Sequence, residues 1–212
     1  MTYRYFDGRP PSLAAILQRK DSFQCSLWCE ADLVKVFDAP AQLSMSERLA
    51  LFSLALGRRP ERALEIGSFR GGSAQLLVHA MDLNNFGRLT MIEPHPQFPP
   101  GLWDSLAHRA TLVQKTSPEA FDVIEGHFDF VFIDAVHTRE NVRADLSAVA
   151  GRLIPNSIVL LHDVLHPAVR AGISEVLSEH ADLINCGCLC RNPSWDDAGL
   201  RWAGLGMLRK VA

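Results

Sequence analysis

ALEIGSFRGGSA, residues 63–74, changes character at its centre. Ala63 to Ile66 is a short apolar run broken only by Glu65, while AQLLVHAM from Ala74 has helical spacing, and Gly67, Gly71 and Gly72 lie between them. A strand passing into a helix through glycines is the junction of an α/β unit. Glycines let the backbone turn sharply and approach a ligand, and the free N–H groups at the helix start attract a negative group. The spacing is not G-x-G-x-x-G, so the turn reads as a nucleotide-type cradle without the dinucleotide fingerprint.

The same alternation continues outward from that turn. RLTMIEP (88–94) precedes GLWDSLAHR, ATLVQ (110–114) precedes SPEAFDVI, FDFVFIDA (128–135) precedes TRENVRADLSAVAGRL, and SIVLLHD (157–163) precedes PAVRAGISEVLSEH. Five successive strand–helix units predict a parallel, doubly wound Rossmann-like sheet, because parallel neighbours need helical crossovers. The near-continuous apolar strands suit burial on both faces. At the end of the chain, ADLINCGCLCRN and GLGMLRKV are separated by a polar loop, Pro193 to Trp202, with no helix. An antiparallel hairpin is expected there, giving seven strands in all.

Upstream, Ser44 or Ser46 is expected to cap a helix carrying Leu49, Phe52, Leu54 and Leu56, stopped by Gly57 and Pro60. Residues 1–43 read as an N-terminal arm or cap with a short helix around Ala31 to Phe37, and residues 44–212 as one domain. At 212 residues a single core is the default. A net charge of −3 offers no bulk attraction for nucleic acid or an anionic membrane. The opening MTYRYFDGRPPSL is not a signal peptide, and no run reaches the roughly 18 apolar residues of a membrane span. The expected setting is cytoplasmic.

An odd count of five cysteines argues against a disulfide framework. Cys186, Cys188 and Cys190 fall at alternate positions on one strand face, and are read as core rather than as zinc ligands.

Chemistry-bearing residues collect at the predicted strand ends, where ligands of open α/β sheets bind. Glu93 closes the second strand, placed to accept hydrogen bonds from ribose hydroxyls, or else is a solvated strand end. Thr116 and Ser117 follow the third strand near the expected adenine edge, and Ser117 before Pro118 is also a candidate helix cap. Asp134 closes the fourth strand with His137 three places on, and His162 and Asp163 close the fifth. Asp163 has a second reading as a helix cap before Pro167; His137 as a cap or solvent-facing group; His166 as surface.

ExGxxxGxS, an acid closing the second strand, FIDAxH closing the fourth and a final antiparallel hairpin together resemble the class I S-adenosylmethionine-dependent methyltransferases. FIDAVHTRENVRADL with the later IVLLHD is similar to the small-molecule O-methyltransferase branch, and more distantly to the catechol-type enzymes. The likeness runs over residues 44–212. It implies that Gly67, Gly71 and Ser73 surround the methionine part of S-adenosylmethionine, with Glu65 and Ser68 in the same set. It puts Glu93 on the ribose, Thr116 and Ser117 by the adenine, and Asp134 between cofactor and acceptor. One departure is Pro155-Asn156-Ser157 where the family has Pro-Gly-Gly; asparagine tolerates the left-handed geometry.

In catechol-type enzymes the positions of Asp134, His162 and Asp163 hold a divalent metal, and the base is a lysine at the position of His137. Imidazole, with an unperturbed pKa near ~6.5, suits proton removal from a hydroxyl. Histidine in a metal set suits manganese, iron or zinc better than magnesium. The acceptor is expected to be a small molecule, bound by residues 1–43 and 191–203, and an arm reaching a neighbour's site allows a homodimer. Two other readings stay open. One is an NAD-dependent oxidoreductase. The other is a catalytically silent cofactor- or partner-binding domain, for which Trp195 and Trp202 serve an interface rather than a lid.

Overall fold

The computed structural model describes residues 30–196 and 199–211, with the side chains of 193–202 outside that description. Cys25 and Cys29 lie outside the described residues, as do the side chains of Trp195 and Trp202. The elements run α1 (Glu30–Asp38), α2 (Met45–Arg58), β1 (Arg62–Ile66), α3 (Gly72–Asn84), β2 (Arg88–Ile92), α4 (Leu102–Leu106), β3 (Ala110–Val113) and α5 (Ser117–Ala120). They continue with β4 (Phe128–Ile133), α6 (Arg139–Ala150), β5 (Leu153–Leu161), α7 (Pro167–Glu179), β6 (Leu183–Asp196) and β7 (Gly199–Lys210).

The strands form one seven-stranded sheet in the order β3-β2-β1-β4-β5-β7-β6. β1 to β5 pair in parallel, and β7 runs antiparallel to both β5 and β6. The order reverses at β1, so the ends of β1 and β4 flank a crevice between helices that cross on opposite faces. Strand alternation divides the core accordingly. Ala63, Phe130, Phe132 and Leu160 meet α1, α2 and α3 on one face, while Leu64, Ile66, Val131 and Ile133 meet α6 and α7 on the other.

Ser44 caps α2 through a reciprocal capping box with Glu47. The helix continues through Gly57 and ends at Arg59, which takes the left-handed conformation at φ 51, so glycine is not the stop. Leu51, Phe52 and Ala55 are buried in the core, and the expected Leu49, Leu54 and Leu56 pack partly buried beside them. β5 begins at Leu153, four residues before the predicted strand, because the chain bulges between its pairings with Phe128 and Phe130. Asn156 sits in that bulge at φ 69, as its side chain allows.

The helices after β2 and β3 are single turns, and the cap of α5 is Thr116 rather than Ser117. At α7 the cap position is His166, half-buried rather than on the surface, and Asp163 lies before the helix at φ 52. The final hairpin is longer than predicted: Pro193 to Asp196 continues β6, and Gly199 to Trp202 opens β7. Register shifts at Asn185/Gly187 and Cys188/Cys190 break the alternation. Cys186 and Cys188 are therefore exposed, and not core. No described helix is long and apolar enough to cross a membrane.

Candidate active site

A cavity of about 380 Å³ opens at the carboxyl ends of β1, β2 and β4. Its floor is the turn after β1. Gly67 has φ 91, and a Cβ there would lie 2.1 Å from the carbonyl oxygen of Asp134, so only glycine lets β1 and β4 approach this closely. Gly72 opens α3 against the chain at Pro40 and Ala41, where a Cβ would lie 2.1 Å from the Ala41 nitrogen. Gly71, the cap of α3, supplies no side-chain cap, and so the first N–H groups of that helix stay available to a ligand.

Glu65 is completely buried beneath this turn and accepts from Ser68 Oγ at 2.6 Å. Burial pushes its carboxyl up to about 7, against the opposing hydrogen bonds of Ser68 and Ser73. Its second oxygen, Oε1, has no hydrogen-bond partner among the described residues. Glu93 is held by backbone: Phe69 N–H donates to Oε2 and His95 N–H to Oε1, each at 2.8 Å. Each oxygen keeps a lone pair for a ribose hydroxyl. Phe69 takes φ 39, an uncommon conformation for a bulky residue, and its bond to Glu93 helps to hold it there. Thr116 and Ser117 line the same cavity beyond Glu93.

Asp134 and His137 line the cavity from the end of β4. His137 Nε2 lies 3.2 Å from Asp134 Oδ1, and Nδ1 lies 3.2 Å from Asp163 Oδ2. His162 Nδ1 lies 3.1 Å from the same Asp134 oxygen and 3.7 Å from Asp163. Its Nε2 faces Glu47 Oε1 at 3.5 Å. Carboxylates and imidazoles thus alternate from α2 across the tips of β4 and β5. Burial raises Asp134, but the hydrogen bond from His137 and the His162 imidazole beside it outweigh it and hold the carboxyl down to about 2. Asp134 raises His137 in turn. Burial lowers His162, and the facing carboxylates of Asp134 and Glu47 override that to raise it.

The predicted residues Glu65, Gly67, Ser68, Gly71, Ser73, Glu93, Thr116, Ser117 and Asp134 therefore surround or underlie one cavity, and His137, His162 and Asp163 meet Asp134. His137 precedes the α6 cap, Thr138, and faces the cluster rather than capping the helix.

The donor atoms of Asp134, His137 and His162 lie within 4.8 Å of one another. His162 Nδ1 is buried and makes no well-formed hydrogen bond. Two imidazoles and a carboxylate fit a divalent transition ion better than magnesium. The converging set contains His137, whereas the sequence pointed to Asp134, His162 and Asp163.

Sequence reading missed three parts of the site. Glu47, 2% exposed, spends one oxygen on the Ser44 cap and turns the other toward His162. Ser-x-x-Glu was visible as a capping box, but the second task of the acid depends on β5. Arg48 donates to the carbonyls of Phe37, Ala39, Ala41 and Leu43 at 2.5 to 2.9 Å, fixing a strap whose Pro40, Ala41 and Gln42 line the cavity. Asp145 lines the cavity from α6.

Residues 64–164 match the family described as Methyltransferase domain. The fold is similar to that of cofactor-bound Rv0187 from MTB, at 21% identity and TM-score 0.64, covering 85% of this chain and 88% of that one. It is similar to the O-methyltransferase TomG from Streptomyces achromogenes in complex with SAM, at 22% identity and TM-score 0.61, covering 88% and 92%. The O-methyltransferase from Bacillus cereus in complex with SAH matches at 17% identity and TM-score 0.61, covering 87% and 93%. No curated protein is detectably similar in sequence. The matched domain, the strand order and the cavity at the β1–α3 turn agree in giving the chain the Rossmann-like fold of the solved methyltransferases.

Proposed function

We propose that the protein transfers the methyl group of S-adenosylmethionine to a hydroxyl of a small molecule, with His137 taking the hydroxyl proton. One observation carries this: a histidine, paired with an aspartate at 3.2 Å, lines the same cavity as Glu93, the acid at the end of β2. Methyl transfer asks for little covalent chemistry, since the sulfonium is already activated. Alignment and acceptor deprotonation supply the rate. Lining carboxylates Glu93, Asp134 and Asp145 suit a cofactor carrying sulfonium and ammonium charges. The strap at Pro40 to Gln42 and the exposed side chains of Phe69 and Val136 border the open side, where an apolar acceptor would enter.

In this reading Asp134 orients the imidazole and stabilises the imidazolium formed after proton transfer. With Nε2–H donating to Asp134, Nδ1 is the nitrogen that takes the hydroxyl proton, and Asp163, 3.2 Å from Nδ1, adds to that stabilisation once the imidazolium has formed. His162 locks Asp134 in place and Glu47 locks His162.

A metal-assisted version is favoured by the convergence of Asp134, His137 and His162. An ion held by these three residues would polarise the acceptor oxygen. It would also occupy a ring nitrogen of His137, so His137 would be ligand rather than base. Dialysis against chelator, followed by metal analysis and by methylation of a hydroxyl-acceptor panel, separates the two. Turnover that survives chelation and is lost in His137→Ala supports the base. Turnover lost on chelation and restored by manganese, iron or zinc supports the ion. A panel methylated only at amines contradicts both.

A further inference from the structure

The β1–α3 turn meets the cavity mostly through backbone, with one charged side chain that the reading above leaves idle. Among the described residues that line the cavity, Arg70 is the one arginine or lysine, set against the carboxylates of Glu93, Asp134 and Asp145. Its guanidinium lies over the Phe69 ring, 5.6 Å from the centroid, within cation–π reach. Phe69 is fixed through both main-chain groups: its N–H donates to Glu93 at 2.8 Å, and its carbonyl accepts from Gln97 N–H at 2.9 Å. Stacking on a braced ring narrows where the guanidinium can lie.

Other arginines are engaged by the chain itself. Arg48, Arg88 and Arg152 donate to main-chain carbonyls, and Arg139 and Arg143 to Glu175 and Glu179. Arg70 is exposed and has no carbonyl or carboxylate partner among the described residues, so its five N–H donors are open to a ligand. The acids of the cavity are engaged elsewhere: Glu93 by two main-chain N–H groups, Asp134 by His137.

This cation shares the cavity with apolar surface. Phe69 and Val136, both lining it, are 36% and 56% exposed. The pairing fits an acceptor with an apolar body and a negative group. A guanidinium fork matches a group with two equivalent oxygens, and the three lining acids disfavour a doubly charged phosphate more than a singly charged carboxylate. The cofactor's own carboxylate has other donors in the free N–H groups at the start of α3, where Gly71 supplies no side-chain cap.

We infer that the acceptor is a hydroxylated carboxylic acid and that Arg70 pairs with its carboxylate, selecting acids over neutral molecules of the same shape. The inference rests on the hydroxyl-methylation reading above and names the class of acceptor. Arg70 holds the acceptor and moves neither the methyl group nor the proton.

The test follows methyl transfer from S-adenosylmethionine by the full chain to mono- and dihydroxybenzoates and hydroxycinnamates, each run beside its primary amide. Wild type should favour the acid over its amide by about tenfold in kcat/KM, mostly through KM, as a partly exposed charge-assisted hydrogen bond allows. Arg70→Gln should bring the two within about twofold by raising KM for the acid, and Arg70→Lys, which keeps the charge and loses the fork, should keep part of the preference. The affinity of either variant for S-adenosylhomocysteine, by isothermal titration, should stay within about threefold of wild type. Amides turned over as well as acids by wild type, or an acid preference that survives in Arg70→Gln, overturn the inference and leave the hydroxyl-methylation reading intact. So does a loss of S-adenosylhomocysteine affinity beyond about tenfold in Arg70→Gln, which would put the guanidinium on the cofactor's own carboxylate. Methylation of no hydroxyl in either series overturns the inference and that reading together.

Discussion

The two ends of the cavity are built by different means. At the β1–α3 turn the ligand surface is backbone: Gly67 presses on the Asp134 carbonyl, Gly72 presses on Pro40 and Ala41, and Glu93 is gripped by two main-chain N–H groups. At the tips of β4 and β5 the surface is side chain, Asp134 and His137, backed by Asp163, His162 and Glu47, whose charges hold each other in place. Backbone contacts recognise a ligand common to many folds of this kind. Side-chain clusters can change while the sheet stays the same, so in the proposed reading the acceptor's hydroxyl and the chemistry are decided there.

The sharpest way to break that contrast is a single methyl group. Gly67→Ala places a Cβ into the Asp134 carbonyl at a φ that alanine resists. It should cost about 3–5 kcal/mol in urea unfolding and remove S-adenosylhomocysteine binding, damaging both ends at once. Retention of wild-type stability would mean that the two strand ends are not packed as described. His137→Ala should act on one end alone. Turnover is expected to fall by about 10²–10⁴-fold while the affinity for S-adenosylhomocysteine stays within about threefold. Equal losses in both would place His137 in cofactor binding.

Arg48→Met should come next. Removing the guanidinium strands the carbonyls of Phe37, Ala39 and Ala41, and about 2–3 kcal/mol of stability should go with it. Because the strap lines the cavity, acceptor KM should rise more than cofactor affinity falls. Steady-state kinetics of the variant separates these two quantities.

The smallest effect is one of pH. The folded carboxyl of Asp145 titrates near about 6, above its ordinary range, so the folded chain holds this proton more tightly than the unfolded chain. Its contribution to stability is therefore greatest at low pH, declines as pH rises from about 4 to about 6, and is flat above that. Relative to Asp145→Asn, which lacks the titration, wild type should lose on the order of 2 kcal/mol between pH 4 and pH 7. Thermal unfolding of the pair across that range measures it. A constant difference would show that Asp145 is not buried from water.

Much of the first region was legible because its signals are local. Apolar runs of strand length, glycines at a strand–helix junction and an acid at the end of β2 lie within a few residues of each other. Ser44 and Asn156 were readable for the same reason: a cap and a left-handed turn depend on the residue itself. The second region was only half legible. Asp134 and His137 share a motif, but Glu47 reaches His162 from a helix more than a hundred residues earlier, and only strand order brings them together. Arg48 resembles any helix-surface arginine until the strap folds over it. Cys186 and Cys188 misled, while Cys190 does pack against the core, because two bulges in β6 shift the alternation, and a bulge leaves little trace in hydropathy. Asp145 sits in a helix whose burial pattern gives no sign that a cavity adjoins one side of it.

The most direct test of the central claim is titration of the full chain with S-adenosylhomocysteine, repeated with NAD and with Glu93→Ala. Saturable one-to-one binding of S-adenosylhomocysteine, markedly weakened in Glu93→Ala, with no heat from NAD, is the expected result. NAD binding, or S-adenosylhomocysteine binding that ignores the loss of Glu93, would contradict the assignment of this cavity.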